Sequence, residues 1–127
     1  MTEHRTPLAR VRGLGSAKSG TEHFWHQRLT AVANVPLTIA FVLIVVSLLG
    51  RNHAAAQQIL GSPLVAIVIL LFIGSVTYHM RIGMQVIIED YVHDEVAKLA
   101  LIMLNTFFTV AVGLASAYAI FKLSFGV

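Results

Sequence analysis

Three long apolar runs dominate the chain. The first extends from about Leu29 to Leu49, the second from about Pro63 to Ile88, and the third from about Val96 to Phe121. Each supplies the roughly 20 residues an α-helix needs to cross the hydrocarbon of a bilayer, and the second is long enough to tilt. Polar stretches separate them. Residues 1–28 are polar and basic, and Pro7, Gly13, Gly15, Ser16, Ser19 and Gly20 argue against a long regular helix before about residue 21. Gly50-Arg51-Asn52-His53 closes the first run. Residues 50–61 form a short connection with a helical turn through Ala54-Ala55-Ala56-Gln57-Gln58. Ser62-Pro63 opens the second run, with proline at the first helical position. The acidic turn Glu89-Asp90-Tyr91-Val92-His93-Asp94-Glu95 separates the second run from the third. Pro36 falls in the first turns of its span or shortly after, where neighbouring groups can satisfy the carbonyl it frees. The pattern predicts an all-α membrane protein: an extended N-terminal arm, residues 1–28, and a three-helix transmembrane anchor, residues 29–127, with spans at about 29–49, 63–88 and 96–121.

Composition strengthens this picture. Of the 127 residues, 57% are hydrophobic and 12% charged, against roughly half and a quarter in a soluble domain. The clustering of the excess argues for membrane spans over a soluble helical bundle. No cysteine is present, which excludes disulfides, iron–sulfur ligation by this chain, thiol catalysis and covalent c-type haem attachment. The formal charge is only +3, and its placement matters more than its size. Arg5, Arg10, Arg12, Lys18 and Arg28 lie in the arm, and Arg81 and Lys98 flank the 89–95 turn. The opposite side carries only Arg51 and Lys122. By the positive-inside rule the N-terminus and the 89–95 turn are cytoplasmic and the C-terminus is periplasmic. No apolar stretch with a small-residue cleavage site opens the chain, so a secretory signal is not expected. An arginine-rich, acid-poor start is also found in mitochondrial transit peptides. The start at Met1 favours a retained bacterial N-terminus and the bacterial inner membrane.

Candidate chemistry lies on the second span, where His79 and Arg81 interrupt the apolar run. Ionisable groups in hydrocarbon cost on the order of 2.5 kcal/mol or more each, so they rarely sit there without a task. At helical spacing Ser75, His79, Gly83, Val86 and Asp90 share one stripe. A glycine one turn from an imidazole leaves room for a flat macrocycle, which suits an axial ligand to haem iron. The second ring nitrogen of such a ligand has a partner that fixes the tautomer. The competing reading is a histidine that hydrogen-bonds another helix, and both stand at this point. His4, His23, His26, His53 and His93 fall in the arm or the turns and are not expected to reach the depth of His79. A second axial ligand would come from another chain.

Asp90 and Tyr91 follow His79 by 11 and 12 residues, on the order of 17 Å along the helix axis. There a tyrosine hydroxyl can donate to a quinone carbonyl and an acid can relay protons. Equally, tyrosines favour membrane interfaces and acids beside a turn are solvated. Arg28 either meets a haem propionate or quinone or serves as a positive-inside anchor. Arg81 points away from the His79 stripe and either snorkels or pairs with a carboxylate or propionate. Trp25 is an interface anchor, and Ser16, Lys18 and Gln27 are candidate contacts to a peripheral partner. On the third span the stripe of Thr106, Thr109, Gly113 and Ser116 is expected to pack against another helix, and Asn105 to hydrogen-bond across helices.

The run His79-x3-Gly83-Met84-x5-Asp90-Tyr91, on the second of three spans, resembles the hydrophobic membrane-anchor (D) subunit of succinate dehydrogenase, respiratory complex II. The arm Gly13-Leu14-Gly15-Ser16-Ala17-Lys18-Ser19-Gly20, followed by Trp25-x-Gln27-Arg28-Leu29-Thr30, is similar to the bacterial and mitochondria-related branch. The resemblance runs from about residue 11 to the end of the third span. It implies a subunit that pairs with a three-helix C subunit of the cytochrome b556 type, shares one b-type haem with it, binds ubiquinone, and docks an iron–sulfur subunit and a flavoprotein. His79 would be the haem iron ligand, with Gly83 and Arg28 in the haem environment. Tyr91 would hydrogen-bond the quinone and Asp90 would support it. His23 stands one residue from where some relatives carry a histidine and is left out of the haem site. The chain would carry no dehydrogenase catalytic residues of its own, and its membrane would be its only partner besides the other subunits, with no nucleic acid. The alternatives are a quinol-oxidising anchor of fumarate reductase and a cofactor-free structural or transport subunit.

Overall fold

A computed structural model describes residues 6–13 and 20–126. Five helices follow one another: α1 (Pro7–Val11), α2 (Gly20–Leu48), α3 (His53–Leu60), α4 (Pro63–Tyr91) and α5 (Glu95–Phe125). The described residues contain no strand. Three of the helices, α2, α4 and α5, are long and apolar enough to cross a membrane. With 29, 29 and 31 residues at 1.5 Å each they exceed about 40 Å, so their ends project past the roughly 30 Å hydrocarbon layer.

The first long helix starts earlier than the apolar run. Residues 20–28 were expected in an extended arm, and they form the opening turns of α2. From Thr21 to Arg28 there is no proline or glycine to stop a helix, and Glu22 complements the positive N-terminal end. Hydropathy marks where hydrocarbon begins, whereas the backbone needs no such boundary. For the same reason Pro36, near the beginning of the apolar run, sits in mid-helix. Upstream, α1 begins on Pro7 and is followed by Gly13 at φ 65°, the left-handed conformation that ends helices. The rest of the arm, with Ser16 and Lys18, lies outside the described residues.

The connections carry their own caps. Asn52 accepts a hydrogen bond from the Ala55 amide at 2.9 Å, so the expected turn becomes the eight-residue α3. Pro63 stands at the start of α4. Asp94 accepts from the Ala97 amide at 2.7 Å and opens α5, which places residues 92–94 alone between the two helices.

The middle helix, α4, packs against both α2 and α5, and it is antiparallel to each. Phe41 of α2 stacks on Phe72 with ring centroids 4.5 Å apart. Toward α5, a Cβ placed on Gly113 would lie 3.7 Å from the Thr77 hydroxyl, Thr109 is buried, and the Asn105 amide donates to the Arg81 carbonyl at 2.9 Å. Thr109 and Gly113 of the small-residue stripe and the cross-helix asparagine therefore do the packing expected of them. A compact apolar cluster of Ala66, Ile69 and Ile120 sits near α3, with Ile44, Leu60 and Leu123 around it. Beyond Ile82 and Ile88 on α4, no other large apolar side chain is buried among the described residues. The outer faces, including Leu43, Leu64, Phe107, Phe108 and Leu114, stay exposed, as suits surfaces that meet lipid or partner helices.

Gly61 makes the tightest backbone approach. A methyl group there would fall 2.9 Å from both the Gln57 and Leu123 carbonyl oxygens, and neither can swing aside as a side chain could. Gly61→Ala is expected to push α3 off the end of α5 and to cost about 1–3 kcal/mol. Thermal unfolding in detergent, followed by circular dichroism, measures this. A variant that melts with the wild type would show that α3 gives way freely.

Candidate functional site

Because α2 and α4 are antiparallel, the polar beginning of α2 lies beside the second half of α4. Gln27, Thr30 and Asn34 recur on α2 at a spacing that shares one face. Ser75, His79 and Gly83 form the corresponding stripe on α4. His79 is half-buried, and its Nδ1 lies 3.0 Å from the Thr30 hydroxyl oxygen. That hydroxyl is also 2.7 Å from the His26 carbonyl oxygen and 3.2 Å from that of Gln27, the back-bonding usual for threonine within a helix. The other ring nitrogen, Nε2, makes no hydrogen bond among the described residues.

His26, expected in the arm, lies within α2, and its Nδ1 is 2.8 Å from the hydroxyl of Tyr78, the neighbour of His79. The earlier start of α2 brings it there. Gly83 also has a role its stripe did not reveal. A Cβ on it would stand 3.4 Å from the Gln27 side-chain nitrogen, so the space beside the glycine is where α2 approaches. Gln27, expected as a contact to a peripheral partner, is half-buried beside Gly83 of α4. Its Oε1, Asn34 Oδ1 and Ser75 Oγ are buried with no partner among the described residues. Each such group costs about 1–3 kcal/mol unless something satisfies it.

A groove of about 560 Å³ continues from this contact toward the polar helix ends, lined by His23, Gln27, Arg28, Ile82, Val86 and Glu89 among others. Arg28 is exposed there, its guanidinium 4.9 Å from the centre of the Phe24 ring, within cation–π range. Glu89 accepts a hydrogen bond from Gln85 at 2.8 Å. The structure thus gathers His79, Gly83 and Arg28 along the α2–α4 contact. Asp90 and Tyr91 stand apart at the end of α4, both exposed, Tyr91 to 77%. Arg81 faces the other way, into the α4–α5 contact near Thr77 and Gly113, with its Nε buried and unpartnered among the described residues.

Sequence reasoning overlooked Thr30, and the Tyr78–His26 pair with it. Polar residues at positions 27, 30 and 34, spaced as a helix face and entering an apolar run, were the available clue. Chemically the site offers a metal one donor, the Nε2 of His79. No three His, Cys, Asp or Glu side chains converge on a metal-sized site among the described residues.

A family model described as succinate dehydrogenase/fumarate reductase transmembrane subunit matches residues 2–113. The chain is similar to the succinate dehydrogenase hydrophobic membrane anchor subunit of Paracoccus denitrificans, 32% identical over 95% of this chain and 93% of the relative. It is 30% identical to the protein of the same name from Rickettsia bellii (strain RML369-C), over 94% of this chain and 95% of the relative. The succinate dehydrogenase membrane anchor subunit of Reclinomonas americana is 36% identical over 68% of this chain and 75% of its own length. No solved structure matches at a significant level. Three membrane-length helices and a family match over nearly the whole chain make it a member of the succinate dehydrogenase hydrophobic membrane-anchor subunits.

Proposed function

We propose that this chain anchors a succinate:quinone oxidoreductase in the bacterial inner membrane, supplies one axial ligand to a b-type haem, and contributes to a ubiquinone site. The observation that carries the reading is His79, half-buried in a membrane-length helix, with Nδ1 engaged by Thr30 and Nε2 free of hydrogen bonds among the described residues. An axial imidazole needs that division of labour between its nitrogens. The second ligand would come from a C subunit of the cytochrome b556 type seated against the exposed apolar flanks. An iron–sulfur subunit and a flavoprotein would dock on the cytoplasmic side, beside the polar ends of α2 and α4. The names of the relatives favour succinate oxidation over fumarate reduction as the direction of flow.

Haem b, when bound, supplies a one-electron acceptor and a link between the two membrane subunits. For its part this chain would hold the iron through His79 and would offer the Arg28 guanidinium to a propionate carboxylate. Tyr91, exposed at the end of α4, donates its hydroxyl proton as a hydrogen bond to a quinone carbonyl. Asp90 beside it passes protons from water. Dehydrogenation of succinate is the work of the partner subunits.

Purification through a tag on this chain tests the proposal. The complex is expected to bring down three further polypeptides, to show a Soret band, and to reduce ubiquinone with succinate. A colourless preparation that keeps its partners would leave a structural anchor and remove the haem.

A further inference from the structure

We infer that Thr30 is a positioning residue that selects which nitrogen of His79 is free to bind iron. The inference rests on the proposal that His79 ligates haem. It follows from counting protons. The Thr30 hydroxyl has one hydrogen to donate, and its shortest contact, 2.7 Å, is to the carbonyl oxygen of His26. A carbonyl cannot donate, so at that contact the hydrogen belongs to threonine. The Gln27 carbonyl at 3.2 Å makes the same demand. The third contact, 3.0 Å to His79 Nδ1, therefore meets a lone pair on the threonine oxygen. Such a contact binds only when the ring nitrogen carries the proton. A neutral imidazole protonated on Nδ1 has its lone pair on Nε2, the nitrogen with no hydrogen bond among the described residues.

The opposite assignment fails on two counts. A threonine that donated to Nδ1 would abandon both carbonyls of its own helix. It would also leave the ring proton on Nε2, where iron would have to bind. The backbone of α2 thus orients the hydroxyl, the hydroxyl orients the imidazole, and the ring presents one defined lone pair. Donation from Nδ1–H also makes the ring a stronger base toward iron.

Two substitutions in the tagged complex separate the hydroxyl from the methyl group. Thr30→Val keeps the branched shape and loses the hydroxyl. Thr30→Ser keeps the hydroxyl and loses the methyl. Valine is expected to weaken haem retention on the order of 10- to 100-fold, the usual effect of removing a partner behind a metal-binding histidine. Retention is read from the rate of haem transfer to apomyoglobin. The haem midpoint potential should move in the positive direction, because a less basic ligand favours the ferric state less. Serine should restore both. Wild-type retention and potential in Thr30→Val would overturn the inference, as would a serine variant that behaves like valine.

Electron–nuclear double resonance on the ferric wild-type complex, with 15N at Nδ1 of the histidines of this chain alone, gives an answer even if Thr30→Val does not assemble. Only the weak coupling of a ring nitrogen remote from iron is expected from that label, and the strong coupling of an iron-bound Nδ1 overturns the assignment. Failure of the underlying proposal looks different. In that case the wild-type complex holds no haem, or haem survives loss of His79, whatever residue 30 is.

Discussion

A complex carrying His79→Ala should purify without a Soret band. The substitution removes the imidazole proposed to hold the iron from this side and leaves any partner ligand alone on the other face. A haem deprived of the ligand from this chain would be held more weakly, so haem content should fall to near zero after detergent extraction. The anchor itself should persist. Thr30 keeps both carbonyl partners within α2 when the ring is gone, and the Phe41–Phe72 stack and the Asn105–Arg81 bond are remote from the change. Reduced-minus-oxidised absorption, normalised to flavin, measures the result. Full haem content in this variant would mean that iron is held elsewhere and would withdraw His79 from the site.

Loss of a single oxygen atom in Tyr91→Phe should act on the quinone alone. The ring is exposed at the end of α4, so no packing depends on the hydroxyl. Its proposed task is one hydrogen bond to a carbonyl that gains negative charge as the quinone is reduced. Bonds to charged groups contribute about 1.5–3 kcal/mol, which corresponds to a fall of roughly 10- to 100-fold in ubiquinone reduction. Succinate oxidation with a soluble dye as acceptor should be unchanged, and so should the Soret band. Ubiquinone reduction at the wild-type rate in Tyr91→Phe would exclude the hydroxyl from catalysis. Equal losses with dye and quinone would point to damaged assembly instead.

The spans were legible because each apolar run is long, and because Ser62-Pro63 marks where the second begins. The start of α2 was not, since hydropathy reports the solvent a segment prefers and Thr21 to Arg28 prefer water while remaining good helix. His79 stood out as an ionisable group in an apolar run. Its partner did not. Threonine is unremarked in membrane spans, and Thr30 lies 49 positions away, so only the antiparallel pairing of α2 with α4 brings the two together. Gly83 was singled out as clearance for a macrocycle, whereas in this chain the space beside it faces α2. What approaches it, the Gln27 amide, depends on the rotation of α2 about its axis, which a three-residue polar spacing hints at and packing decides.

So few large side chains are enclosed within the three-helix unit that residence in the bilayer and mutual arrangement of the helices become separate properties. Lipid retains each helix whether or not it touches its neighbours. Loosening α5 from α4, for example at Gly113, would therefore leave a chain still threaded through the bilayer but with its crossing angles unfixed. Such an anchor would pass any assay for integration and fail those for assembly.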